Sequence, residues 1–127
     1  MSAGDRTFEM EGLRVEVLYQ GDSARIVWHG VSETQDPELG IGQFLKDLLP
    51  SLTDKKVVVD FRDLDYMNSA TTLTVLQLIR ELSARELATE LRYSTAAEWQ
   101  RIAFRSIKTV TQTLPQVHII GDEPAAT

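Results

Sequence analysis

Three consecutive valines, Val57, Val58 and Val59, framed by Lys55-Lys56 and Asp60-Phe61, constrain this chain more than any other stretch. β-Branched side chains favour a pleated backbone, and an apolar run without alternation is the pattern of a strand covered on both faces. Such a strand needs sheet neighbours and helices packed on them, so the rest of the chain must supply both.

The neighbours are legible on either side. Leu13, Val15 and Val17 alternate with Arg14 and Glu16, and Ile26 and Trp28 alternate with Arg25 and Val27. That is the period of half-buried strands. Gly21-Asp22 between them is turn chemistry, which predicts an antiparallel hairpin. "TELRYST" predicts a short strand after the valines, and "VHIIG" predicts a last one.

Helical spacing fills the gaps. "SETQDP" reads as a loop in which Asp36 caps and Pro37 opens a first turn, followed by Ile41, Leu45, Leu48 and Leu52. Gly40 and Gly42 weaken the start of this helix, and Pro50 ends or bends it. Leu73, Leu76, Ile79 and Leu82 predict a second helix with Arg80, Glu81 and Arg85 towards water. Ala96, Trp99, Ala103, Ile107 and Val110 predict a third, with Pro115 at its exit. The order is β-β-α-β-α-β-α-β, an α/β fold with a mixed sheet, mostly parallel after the hairpin and flanked by helices. The chain of 127 residues reads as one domain with a core over about residues 13–121 and short flexible tails.

Composition narrows the function. The formal charge is -6 and the thirteen Lys and Arg are scattered, so nucleic acid, which draws on clustered basic charge, is not an expected partner. There is no cysteine for thiolate chemistry or cysteine zinc sites. "MSAGDRTFEMEG" has acidic residues and no apolar segment, so it does not read as a secretory signal, and no run is long enough to span a bilayer. A cytoplasmic protein with no membrane partner is expected.

Few residues suit catalysis. His29 and His118 have no histidine partner at metal-ligand spacing, so no metal is expected. Asp60, Asp63 and Asp65 of "DFRDLD" resemble a Mg²⁺ set, but at a strand end they read as solvated turn carboxylates. Ser69 lacks the glycines of a nucleophile elbow, which disfavours a hydrolase, and neither nucleotide-cradling glycine motif is present, so no cofactor is expected.

What remains is "YMNSATT", where Asn68, Ser69, Thr71 and Thr72 crowd one helix start. Asn68 is the better N-cap, a role worth ~1 kcal/mol. The positive end of a helix also favours a phosphate on Ser69, Thr71 or Thr72, and phosphorylation would add roughly 1.5 to 2 negative charges there.

These residues resemble the STAS domain, the family of the anti-sigma-factor antagonists. Its signature is a buried strand, a short loop, an aromatic-x-Asp-Ser-Ser/Thr-Gly segment and a helix. "VVVDFRDLDYMNSATTLTVLQLIREL" follows that plan, with Tyr66-Met67-Asn68-Ser69-Ala70-Thr71 in register. The family's aspartate becomes Asn68, its second hydroxyl residue Ala70 and its glycine Thr71.

The resemblance implies a non-enzymatic regulatory module whose serine, here Ser69, is phosphorylated by a partner kinase of the histidine-kinase-like ATPase type that also serves as an anti-sigma factor. A phosphatase would complete the cycle. The Asn-Ser variant also resembles STAS-like proteins that act on signalling enzymes such as diguanylate cyclases. A switch loop of Asp65, Tyr66, Asn68, Ala70, Thr71 and Thr72 is the expected partner surface. Trp99 is expected in the core, with Phe104 on the same helix, while Arg101 and Arg105 on another side read as solvated charges that could instead flank a phosphorylated Ser69 or a partner's acidic patch. The rival readings are a constitutive scaffold without the switch and a small-ligand-binding STAS domain.

Overall fold

Val57 and Val59 have no exposed surface, and the strand they belong to sits inside a six-stranded sheet ordered β1-β2-β3-β4-β5-β6 in the computed structural model, which describes residues 5–122. The strands are β1 Arg6–Met10, β2 Leu13–Gln20, β3 Ser23–Ser32, β4 Lys56–Met67, β5 Thr89–Ser94 and β6 Val117–Asp122. The first two pairings are antiparallel and the last three parallel, so the predicted mixed sheet is what the chain forms. Gly21, at φ 57°, makes the hairpin turn.

The helices are α1 Ile41–Leu48, α2 Ser69–Ala84 and α3 Glu98–Thr111. Leu13, Val15 and Val17, Ala24, Ile26 and Trp28, and Val57, Val59 and Phe61 share one apolar core with buried residues of all three. The alternate residues carry charge on the other face of the sheet, where Asp60 is held by Arg25 and Arg62, and Asp122 by Arg62 and Arg92. Val58 is only half-buried there, so the valine run is covered by apolar packing on one side and by an ion-pair mesh on the other.

Several expectations need correction. β1 precedes the expected start of the core at Leu13 and pairs with β2 from Arg6↔Val17 to Met10↔Leu13. Its only buried-side aromatic, Phe8, is half-buried, so an edge strand of this kind leaves little pattern. The expected tail, "DEPAAT", begins at Asp122, yet Asp122 ends β6 and is held there by Arg62 and Arg92, while the residues from Glu123 onwards lie outside the described residues. The first helix is α1 followed by a 3₁₀ turn, Leu49–Leu52, and Pro50 sits in that turn while Ile41, Leu45, Leu48 and Leu52 are all buried. A separate 3₁₀ turn, Pro37–Leu39, opens on Pro37, but Asp36 makes no side-chain cap.

Both later helices are rotated from their predicted faces. In α2 Leu73 is 62% exposed, and the buried stripe is Thr71, Thr74, Val75, Leu78, Ile79 and Leu82. In α3 the buried residues are Gln100, Phe104, Ile107 and Thr111, while Val110 is exposed and Trp99 only half-buried. Buried polar residues caused both errors, because threonine and glutamine read as solvent-facing until a partner is visible. Thr111 Oγ1, for example, donates to the Ile107 carbonyl one turn back.

Candidate functional site

The segment "RDLDYMN", expected as a loop, is strand up to Met67. β4 advances three residues while β3 advances two between Val27↔Asp60 and His29↔Asp63. It gains another extra residue between Gly30↔Leu64 and Val31↔Tyr66. Each insertion is a bulge that resets which side chains face the core. The buried residues therefore fall at Phe61, Leu64 and Met67, spaced by three, and the period of two that betrays a strand disappears.

β5 pairs with β4 only from Val57↔Thr89 to Asp60↔Arg92, so β4 overruns its neighbour. Gln100 of α3, 1% exposed, replaces the missing strand. Its Nε2 donates to the carbonyls of Phe61 at 2.7 Å and Leu64 at 2.9 Å, and its Oε1 accepts from the amide of Ser94 at 2.7 Å. Buried backbone groups must be paired, and one glutamine meets three of them. The overrun thus ends at a fixed position, with Asp65 and Tyr66 exposed.

Asn68 receives the chain and starts α2. Its Oδ1 accepts from the backbone amide and the hydroxyl of Thr71, both at 2.9 Å. Its Nδ2 donates to the Thr34 carbonyl at 2.9 Å, and its backbone amide donates to the Ser32 carbonyl at 2.9 Å. An aspartate could cap equally well but could not donate to Thr34. The asparagine therefore ties the helix start to the segment that follows β3.

Thr71, expected on the partner surface, is 0% exposed. Its hydroxyl gives its proton to Asn68, so it accepts from Ser32 Oγ at 2.6 Å. The position that is glycine in the STAS signature is here filled by a side chain that locks β3 to α2, and it offers nothing to a kinase in this fold. Ala70 and Thr72 are half-buried, and the Thr72 hydroxyl is turned back onto the Asn68 carbonyl at 3.1 Å. Ser69 differs from all of these. It is the first residue of α2, exposed, and its hydroxyl has no hydrogen-bond partner among the described residues.

Ser69 borders a groove of about 530 Å³ between α2 and α3, lined by Tyr66, Met67, Ser69, Thr72, Leu73, Trp99, Ile102, Ala103 and Ser106. Tyr66 packs on Trp99 with ring centroids 5.8 Å apart, while Leu73 and Ile102 are 62% and 57% exposed. Trp99 accordingly packs half-buried against the core and also forms a wall of the groove, and Phe104 stacks on Tyr93 inside. Neither Arg101 nor Arg105 lines this groove, and the Arg101 guanidinium is engaged with the Thr95 carbonyl.

Asp60 corrects another expectation, since it is 4% exposed rather than solvated. Burial alone would raise its pKa, but hydrogen bonds from the Arg62 side chain and amide and from Arg25 outweigh that, lowering it to about 2. It accepts from Arg25 at 2.6 Å and from Arg62 at 2.8 Å. Its role is to neutralise cations across β3 and β4. Asp63 faces water 3.9 Å from His29, and no group of three His, Asp or Glu suited to a metal occurs among the described residues.

Sequence reading missed Gln100, Ser32, Thr34 and Ile102. Only the exposed isoleucine left a signal, as an apolar residue off the predicted core face of α3. Among the described residues no helix is long and apolar enough to cross a membrane.

No family model matches the chain, and no curated protein matches it. Among solved structures it is similar to an uncharacterized protein of the DUF3478 family with a SpoIIAA-like fold from Shewanella loihica PV-4. The two share 16% identity at a TM-score of 0.53, over 90% of this chain and 89% of that one. The fold is thus SpoIIAA-like, the fold of STAS domains and anti-sigma-factor antagonists, as the motif resemblance predicted.

Proposed function

We propose that this chain is a non-enzymatic regulatory module that binds a signalling partner at the start of α2, and that phosphorylation of Ser69 switches this binding. The observation that carries the reading is the contrast within one helical turn. Asn68, Thr71 and Thr72 are engaged by hydrogen bonds, while Ser69 stands exposed on the rim of an apolar groove. A phosphoserine there would be favoured by the helix N-terminus yet would set charge against any apolar partner surface in the groove. The partner classes are those of the STAS resemblance. They are a cytoplasmic serine kinase of the histidine-kinase-like ATPase type with its phosphatase, or a signalling enzyme such as a diguanylate cyclase.

Incubation with that kinase and ATP, followed by phosphosite mapping, is expected to place one phosphate on Ser69 and none on Thr71. Ser69→Asp is expected to weaken partner binding by tenfold or more, about 1.4 kcal/mol. An unphosphorylated Ser69, or unchanged affinity in the variant, would leave the second reading, a constitutive scaffold. The Ser32–Thr71–Asn68 lock favours that alternative, because it holds the helix start in one geometry without a phosphate.

A further inference from the structure

The two edges of the sheet are unlike. β1 exposes Arg6 and Glu9, charges of the kind that keep an edge strand from pairing with another chain. β6, Val117–Asp122, contains no lysine, arginine or proline, pairs with β5 through six consecutive residues without a bulge, and has no strand on its other side among the described residues. Its one carboxylate, Asp122, is already held by Arg62 and Arg92 on the open face of the sheet.

The direction of its backbone groups is fixed by two bonds. The Thr89 amide donates to the Gln116 carbonyl and the Thr95 amide to the Asp122 carbonyl, so even-numbered residues turn their peptide groups to β5. The odd-numbered ones, Ile119 and Gly121, turn theirs outward, while the Val117 amide is already bonded to Leu114. Side chains alternate as well, so His118, Ile120 and Asp122 share the open face of the sheet.

We infer that β6 pairs antiparallel with β6 of a second copy of this chain, about a two-fold axis at Ile120, to form a continuous twelve-stranded sheet. This register brings Ile119 opposite Gly121 of the other copy, and each such pair exchanges two hydrogen bonds. All four outward groups of these two residues are thereby used in each copy. The same register sets His118 opposite Asp122 as a non-hydrogen-bonded pair, the closer of the two antiparallel spacings, and it does so twice by symmetry. A strand whose one imidazole meets its one carboxylate is complementary to itself, which is what a two-fold interface requires.

The test is the mass of the intact chain in solution by light scattering, across micromolar to millimolar concentration. Wild type is expected at twice the 14.3 kDa chain mass. His118→Asp places like charges opposite each other and is expected to raise the dimer dissociation constant by about tenfold or more. His118→Lys sets a cation opposite Asp122 and is expected to remain dimeric. Ile120→Lys sets two lysines face to face on the axis and is expected to be monomeric, with an unchanged circular dichroism spectrum verifying the fold. A monomeric wild type would overturn the inference, and so would a dimer that survives both His118→Asp and Ile120→Lys.

Discussion

The two halves of β4 divide the work of this protein. From Lys56 to Phe61 the strand lies between β3 and β5, alternates regularly, and buries Val57, Val59 and Phe61. From Arg62 to Met67 it keeps only β3, passes through two bulges, and is finished by Gln100. The first half stabilises the domain, and the second aims Tyr66 and Asn68. A strand becomes a site where it outruns its neighbour, because exposed side chains can then be held by a backbone that is still paired on one side.

The sharpest way to break the first half is Phe61→Ala. The ring sits between Trp28 and Phe104, with centroids 5.3 and 5.1 Å away, and its removal is expected to cost about 3–5 kcal/mol in denaturant unfolding. Gln100→Leu tests the junction between the halves. It would strand two carbonyls and an amide in the interior, for an expected loss of about 2–4 kcal/mol, with the exchange protection of Ser94 falling as well.

Acid acts on the same junction from the other face of the sheet. The folded state favours charged Asp60, whose pKa is about 2 against an ordinary 3.8, so its contribution is complete above about pH 4 and lost as pH falls through about 2. That contribution is on the order of 2 kcal/mol, and Asp60→Asn is expected to remove this part of the pH dependence of unfolding. In the second half, Asn68→Ala is expected to cost about 1–2 kcal/mol. Asn68→Asp is expected to retain the cap and to lose only the bond to Thr34, a smaller cost seen in the same unfolding measurement. The smallest effect separates function from fold: Ser69→Asp is expected to leave stability within about 0.5 kcal/mol while altering partner binding.

Much of the fold is legible in the sequence. The valine run, the hairpin around Gly21-Asp22 and the periodic leucines of α1 each follow a local rule, since covalent geometry and backbone sterics repeat every two or 3.6 residues. The site was legible as a helix start with too many polar residues, and Asn68 was identified as its cap. The split between Ser69 and Thr71 was not legible. Both are small hydroxyl residues, and only the arrival of Ser32 from β3, distant in sequence, decides which one is buried.

The sequence by itself therefore determined the element order, the apolar content of the core and the placing of hydroxyls at the start of α2, because these depend on neighbours along the chain. Tertiary structure alone decided that β4 continues through "RDLDYM", that Asp60 is buried among arginines and that Gln100 turns inward. It also decided that Ser69, and not Thr71, faces the groove. Each of those outcomes rests on a buried polar group finding a partner on another element. A polar residue's preference for water is overridden only when folding brings that partner within hydrogen-bonding distance.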